Sequence, residues 1–321
     1  MRIMPGPTYR EHRLEDAGGQ ADAFDWSEVE YCQMGPGRYN GRVSHLELGD
    51  LSLRHEWQNR DIHKRGAAAG DFCTLSFFEE RVDCWCNGRR YELPFSPVFF
   101  LPAGGEIDIY VKGGTTIGYV VLDQTALRSR AQILEPSLPP WRRDGLGVAA
   151  PDSRPLSQFM GTMKERRRLG LKTDWAAAGA RLTDILAAGM ADSSGAQAPP
   201  PSSLATKHRV LRRARDYISE CLDMGICPGI VDVCRNVGVS QRTLQYCFVE
   251  LMQMTPVAFL RILRLNKARS ELGRPSAANL SVTDVATQNA FWHLGNFARD
   301  FRLHFGETPS EVLARGRRRG G

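Results

Sequence analysis

The chain has 321 residues, 42% hydrophobic and 24% charged, the balance expected of a soluble globular protein with two domains of ordinary size. No apolar run reaches the roughly 18 residues that a membrane-crossing helix needs, and the polar stretch from Met1 to Leu14 lacks the apolar core of a signal peptide; a cytoplasmic location is expected. Residues 205–321 carry 18 basic and 10 acidic side chains, net +8, while the remaining 24 basic and 26 acidic leave the rest at −2, so a polyanionic ligand is expected for the last part of the chain alone.

The eight cysteines, Cys32, Cys73, Cys84, Cys86, Cys221, Cys227, Cys234 and Cys247, are spread widely and include no CxxC pair. This is not a disulfide framework, and free thiols in a reducing compartment are expected. Cys84 and Cys86 flank Trp85 and would share one strand face. One pair with no nearby partner is not a metal site, so neither metal nor cofactor is expected.

From about Tyr39 to Leu122 the chain reads as strands. Leu46 and Leu48, then Leu51, Leu53, His55 and Trp57, alternate with polar residues across Gly49-Asp50, a hairpin signal. A β-prone run, Phe72–Phe78, follows. Asp83–Leu93 reads as a second hairpin turning at Asn87-Gly88. Val98–Leu101, Ile107–Val111 and Ile117–Leu122 are separated by Gly-Gly turns. Many short strands at this spacing predict a barrel or sandwich. Beyond Pro139-Pro140, Leu156–Leu169 and Asp174–Met190 have helical periodicity. The basic run Lys164–Arg168 is read as a solvated helix face. Residues 191–203, ADSSGAQAPPPSS, have linker composition. Val210–Leu222 then predicts an amphipathic helix.

Two helix-turn-helix patterns follow in tandem. In the first, Ile230–Val237 is a short helix with apolar Val231, Val233, Cys234 and Val237. Gly238 suits the left-handed turn, and Ser240 is placed to cap a helix over Gln241–Met252. Leu244, Phe248 and Leu251 recur at core spacing. Gln241, Arg242, Gln245 and Tyr246 are left on the outer face, where Arg and Gln have the chemistry to read guanine and adenine and Tyr246 to reach a phosphate. Thr255-Pro256 opens a helix through Leu272, about 25 Å long, suited to holding two heads about one DNA turn apart, roughly 34 Å. In the second pattern Ser281 and Asp284 form a capping-box-like start. A helix over Leu294–Phe305 turns Phe297, Phe301 and Phe305 to the core and leaves Leu294, Gly295, Asn296 and Arg299 for DNA. The first head has more chemistry for base readout; the second resembles an anchor that sets register.

Across Val210–Val312 this pattern resembles the AraC-type transcription regulators. The residues that carry the resemblance are Leu260, Arg264, Leu265, Ala268 and Arg269 in the connecting helix, with Phe291, Phe297, Arg299, Phe301, Phe305, Gly306, Thr308 and Pro309 after it. Phe291–Gly295 and Arg242–Gln245 look most like the branch containing the ethanolamine-operon regulator. Two positions depart from the family: Ala290 stands where Gly is usual, and His293 replaces the usual Ser or Asp cap. Asn289 is expected to take the strained turn conformation in place of Ala290, since Asn tolerates it.

The resemblance implies an α+β multidomain protein. Residues 1–150 would form a cupin-like sensor domain, 151–190 a helical extension that could dimerise, 191–204 a flexible linker and 205–321 the tandem helix-turn-helix domain. It also implies a non-enzymatic transcription regulator, an activator working with double-stranded DNA and RNA polymerase, with a small-molecule effector and a homodimeric state as possibilities. His12, His45, His55 and His63 form no HxH motif, so the metal of enzymatic cupins is not expected. Leu53, His55, Trp57, Trp85 and Tyr110 are the candidate effector-pocket residues, with plain core packing as the competing reading. Two other functions compete: a regulator with no small effector, controlled by a protein partner or abundance, and, remotely, a DNA-alkylation repair enzyme fused to this module.

Overall fold

The computed structural model describes residues 8–24, 27–68, 70–79, 82–86, 89–93, 98–138, 147–150, 153–192, 202–274 and 280–320. The chain divides into two compact units: Met1–Tyr31 with Asn40–Pro199, and Cys32–Tyr39 with Pro200–Gly321. Most of the expected linker, 193–201, lies outside the described residues. The segment 32–39 folds with the C-terminal unit, which no local pattern signalled.

The first unit is built on two sheets. One has seven strands: β1 (Tyr9–Leu14), β3 (Gly41–Leu48), β4 (Leu51–Gln58), β11 (Thr116–Asp123), β6 (Phe72–Phe78), β9 (Val98–Leu101) and β12 (Gly147–Ala150), in that order. The other has five: β2 (Ser27–Gln33), β5 (Ile62–Ala68), β10 (Glu106–Val111), β7 (Val82–Cys86) and β8 (Arg89–Leu93). β3 and β4 pair antiparallel with Leu48 opposite Leu51, so Gly49-Asp50 is the two-residue turn and Gly49 sits at φ 70°. β7 and β8 pair antiparallel with Cys86 opposite Arg89; the Asn87-Gly88 turn itself lies outside the described residues.

Helices cover one face of the larger sheet. They are α2 (Gln124–Leu134), α3 (Arg154–Arg168) and α4 (Trp175–Asp192); the short α1 (Ala17–Asp22) precedes β2. Leu46, Leu53, Leu75 and Val120 pack there against Leu127, Leu156, Met160 and Leu186. Each fully buried leucine contributes roughly 2 kcal/mol, which favours docking these helices on the sheet. α2 escaped the sequence reading, although Asp123 caps it by accepting from the Ala126 amide at 2.7 Å.

The opposite face is polar. The Glu56 carboxylate is 0% exposed and accepts from Gln20 at 2.7 Å, from Tyr31 at 3.3 Å, from Lys64 at 2.5 Å and from the Tyr119 hydroxyl. Lys64, 1% exposed, also donates to Tyr119 at 2.9 Å and lies over the Tyr31 ring. Burial lowers the Lys64 pKa, and the Glu56 charge opposes that shift. Four donors converge on one carboxylate, which is what keeps a buried charge tolerable.

The second unit is helical: α5 (Ser202–Asp223), α6 (Ile230–Val237), α7 (Gln241–Met252), α8 (Pro256–Gly273), α9 (Val282–Gln288), α10 (Leu294–Phe305) and α11 (Pro309–Gly320). α5 starts eight residues before the predicted Val210. The core around α8, α9 and α10 holds Leu265, Ala268, Val285, Phe297, Phe301 and Phe305. The architecture is α+β, a β-rich N-terminal unit and a helical C-terminal one.

Candidate functional site

The two heads are built in the same way. α6 ends at Gly238, φ 77°. Ser240 caps α7 by accepting from the Thr243 amide at 3.1 Å. Leu244, Cys247, Phe248 and Leu251 are buried along α7, which leaves Gln241, Arg242, Gln245 and Tyr246 exposed on one side. Arg242 donates to the Tyr246 hydroxyl at 3.2 Å and lies over its ring. The pair therefore forms one unit, which pre-orients the guanidinium. Val231, expected in the apolar face of α6, is 48% exposed. It occupies the second helical position, about a third of a turn away from the Val233–Cys234–Val237 stripe.

In the second head Ser281 and Asp284 form the expected reciprocal box: Ser281 accepts from the Asp284 amide at 3.1 Å and Asp284 from the Ser281 amide at 2.9 Å. His293 sits at the N-cap of α10 with no side-chain cap bond. Phe297, Phe301 and Phe305 are buried, while Leu294, Gly295, Asn296 and Arg299 are exposed. Gly295 has open space where a Cβ would stand. Arg299 faces Asp300 at 3.5 Å, and Asp300 also pairs with Arg261, so part of the positive charge here is neutralised within the fold. Trp292 is 74% exposed beside the start of α10.

The turn between α9 and α10 corrects one expectation. Ala290 itself takes the left-handed conformation, φ 57°, whereas Asn289 is at φ −93°. The Asn289 side chain is buried, donating to Glu271 at 2.6 Å and to the Val285 carbonyl at 2.9 Å. Those bonds hold Asn289 in the helical exit and pass the strain on to its neighbour. Arg264 compensates: it donates to the Asn289 carbonyl at 2.8 Å and to the Ala290 carbonyl, and stacks 4.2 Å from the Phe291 ring centre.

A polar clasp fixes the other side of α8 and α10. The Gln33 amide nitrogen lies 2.7–2.9 Å from the carbonyls of Gly35, Gly37 and His304. The Gln33 backbone exchanges two bonds of 2.9 Å with the Asn266 side chain. His304 Nε2 meets the Gln33 carbonyl at 3.0 Å. Burial lowers the His304 pKa, with the Arg269 charge adding to the shift and the Gln33 carbonyl opposing it. Nearby, Glu307 is held by Arg269 at 2.6 Å and by Arg315 at 2.8 Å. Burial pushes its carboxyl up, but the Arg315 bond and the Arg269 charge outweigh that and leave its pKa below the ordinary value.

In the first unit a cavity of about 230 Å³ lies between the larger sheet and α3. Leu53 and His55 line it, together with Tyr9, Leu46 and Met160. Trp57 and Tyr110 do not. Tyr110 belongs to the smaller sheet and donates to Asp61 at 2.6 Å, and the Trp85 side chain lies outside what is described. The expected five-residue pocket is therefore not assembled as one. Leu53, His55 and Trp57 alternate onto the helix-covered face of β4, while Arg54, Glu56 and Gln58 take the opposite, polar face. Alternation marked a packed face correctly but could not say which of two buried faces it was. Among the described residues no group of His, Cys, Asp or Glu could hold a metal ion, and no single helix is long and apolar enough to cross a membrane.

Comparison with known proteins matches residues 233–315 to a family described as "Helix-turn-helix domain". The probable thc operon regulatory protein of Rhodococcus erythropolis is 38% identical over 104 residues, 32% of this chain and 31% of that protein. The XylDLEGF operon transcriptional activator of Pseudomonas putida is 39% identical over 75 residues, 23% of each. The matches thus span less than a third of these relatives' lengths. A solved structure of a probable AraC family transcriptional regulator from Rhodopseudomonas palustris shares 33% identity, covering 33% of this chain and 96% of that one, with a TM-score of 0.31.

Proposed function

The C-terminal domain belongs to the AraC-type helix-turn-helix family, and from that premise we propose that the whole chain is a sequence-specific DNA-binding transcription regulator that activates its target promoters. The observation that carries this reading is the pair of heads. Each second helix buries an apolar stripe and leaves its start exposed, polar in α7 and mixed in α10, with α8 between them. At 18 residues that helix is about 27 Å long, which suits two neighbouring major grooves.

Roles follow from chemistry. Arg242, Gln241 and Gln245 read base edges, and Tyr246 orients Arg242. Asn296 and Arg299 bond base or phosphate, Leu294 meets a thymine methyl, and Gly295 admits the backbone close to the groove. Activation requires contact with RNA polymerase. The N-terminal unit takes a small effector and pairs two copies of the chain; the effector acts by differential affinity for the active and inactive states. The likeness to the ethanolamine-operon regulator branch lies in the DNA-reading residues, so it assigns no effector.

Footprinting on the promoter of the gene itself and on neighbouring promoters tests this. Protection of one or two sites of about 20 bp, two adjacent major grooves, is expected. Binding without sequence preference at physiological salt would overturn it. Arg242→Ala should weaken cognate DNA by about 1–3 kcal/mol and random DNA far less; an equal loss on both would assign Arg242 to phosphate alone.

A further inference from the structure

We propose that the cavity under α3 binds an amphipathic organic acid, its apolar body between the sheet and the helix and its carboxylate against Lys164 and Arg167. The inference that this acid is the effector rests on the regulator reading above; the inference that it binds does not.

The walls are mostly apolar, Leu46 and Leu53 from the sheet, Met160 from α3 and the Tyr9 ring, with Ser44 and His55 as the polar exceptions. At about 230 Å³ the space exceeds the roughly 150 Å³ cavity that accepts benzene, so it suits a ring with a substituent or a chain of about eight carbons. A sugar or other polyol would leave most of its hydroxyls unpaired against these walls. The rim, in contrast, is cationic, with Lys164, Arg167 and Arg168 projecting from consecutive turns of α3.

These cations are not equivalent. Arg168 is already held by Glu165 through bonds of 2.6 and 2.7 Å. Neither Lys164 nor Arg167 forms an ion pair among the described residues; Arg167 lies flat over the Tyr9 ring, 3.6 Å from its centre. Of the acids on the sheet side, Glu11 accepts from the Tyr9 hydroxyl at 2.8 Å and faces Arg42 at 3.7 Å, and Glu79 is taken by His55 at 2.9 Å. The His55 bond, with help from the Lys164 charge, holds the Glu79 carboxyl below its usual range. A mostly apolar pocket with two cations at its mouth that form no ion pair among the described residues favours a ligand with one anionic end. The polar face of the same sheet offers no rival: its centre is filled by the Glu56–Lys64–Tyr119 cluster. The basic run that composition assigned to solvent thus gains a task from its position over the cavity.

The test uses the full chain with octanoate, below its micellar concentration, and octanamide, its neutral counterpart. Calorimetry should show one octanoate bound per chain, with octanamide weaker by at least about tenfold. The variant Lys164→Gln/Arg167→Gln changes only exposed side chains and should fold normally. It should lower octanoate affinity to that of octanamide and leave octanamide unchanged. No octanoate binding, equal affinity for both probes, or an unaffected variant would overturn the site. The same preparations are footprinted on DNA. Specific protection without octanoate binding sinks this inference and leaves the regulator reading intact. Octanoate binding without specific protection does the reverse. Octanoate that binds but leaves protection unchanged overturns the effector role alone.

Discussion

Ala290 carries a conformation that its side chain disfavours. A left-handed L-residue costs roughly 1–2 kcal/mol, and glycine avoids that at an entropic cost of about 0.5–1 kcal/mol. Ala290→Gly should therefore stabilise the C-terminal unit by a few tenths to 1 kcal/mol, read as a higher urea midpoint with unchanged slope. Cognate DNA affinity should hold, because Arg264 already fixes the turn. His293 offers a second gain at this scale. It occupies an N-cap with no side-chain bond, so His293→Asp should add about 0.5–1 kcal/mol of stability; a loss would mean that the imidazole makes contacts that outweigh the missing cap. Sequence identified both positions as departures from the family. It assigned the strain to the wrong residue because the bonds holding Asn289 come from Glu271, eighteen positions away.

At the scale of elements, two buried polar networks decide stability. Gln33 joins the 32–39 segment to α10 through the buried His304 carbonyl and to α8 through the Asn266 side chain. Gln33→Ala should cost about 2–3 kcal/mol in unfolding of the C-terminal unit, chiefly as the penalty of unpaired buried groups. A neutral result would show that water replaces the amide. Glu56 presents the same problem in sharper form. Glu56→Ala leaves the buried Lys64 amine without its carboxylate, so a loss of about 3–5 kcal/mol is expected, whereas a double replacement of Glu56 and Lys64 by apolar residues of similar volume should recover much of it. Neither network was legible in advance. Period-2 and period-3.6 patterns report which face is apolar, whereas the Glu56–Lys64 bond joins polar residues 8 positions apart and the Gln33–His304 bond residues 271 apart. The helical heads were legible because caps, turns and core stripes lie within one turn or two of each other.

For the whole molecule, acid should act first on the helical unit. Burial pushes His208 down to about 4, with Glu250 opposing, and lowers His304 as well. Both are neutral in the fold, while in the unfolded chain they take up a proton near the ordinary value of about 6.5. Stability is then complete above that pH and is lost as pH falls from about 6.5 toward 4, on the order of 2–3 kcal/mol for His208. Glu307, whose pKa is depressed, adds a further loss only below the ordinary carboxylate range. Thermal unfolding followed from pH 7.5 to 4.5 should show this slope, and His208→Gln should remove much of it; a flat profile in the unaltered chain would refute the assignment. By itself the sequence determined the C-terminal architecture and the residues left exposed on the second helix of each head, together with the β-rich character of the region ahead of it. It could do so because each of those features is encoded by neighbours along the chain. Only the tertiary structure decided that residues 32–39 fold with the C-terminal unit, that Ala290 carries the strained turn, that Glu56 and Lys64 fill one face of the larger sheet, and that a cavity rimmed by Lys164 and Arg167 lies on the other. Each of these depends on which distant segments meet, and neither composition nor periodicity carries that information.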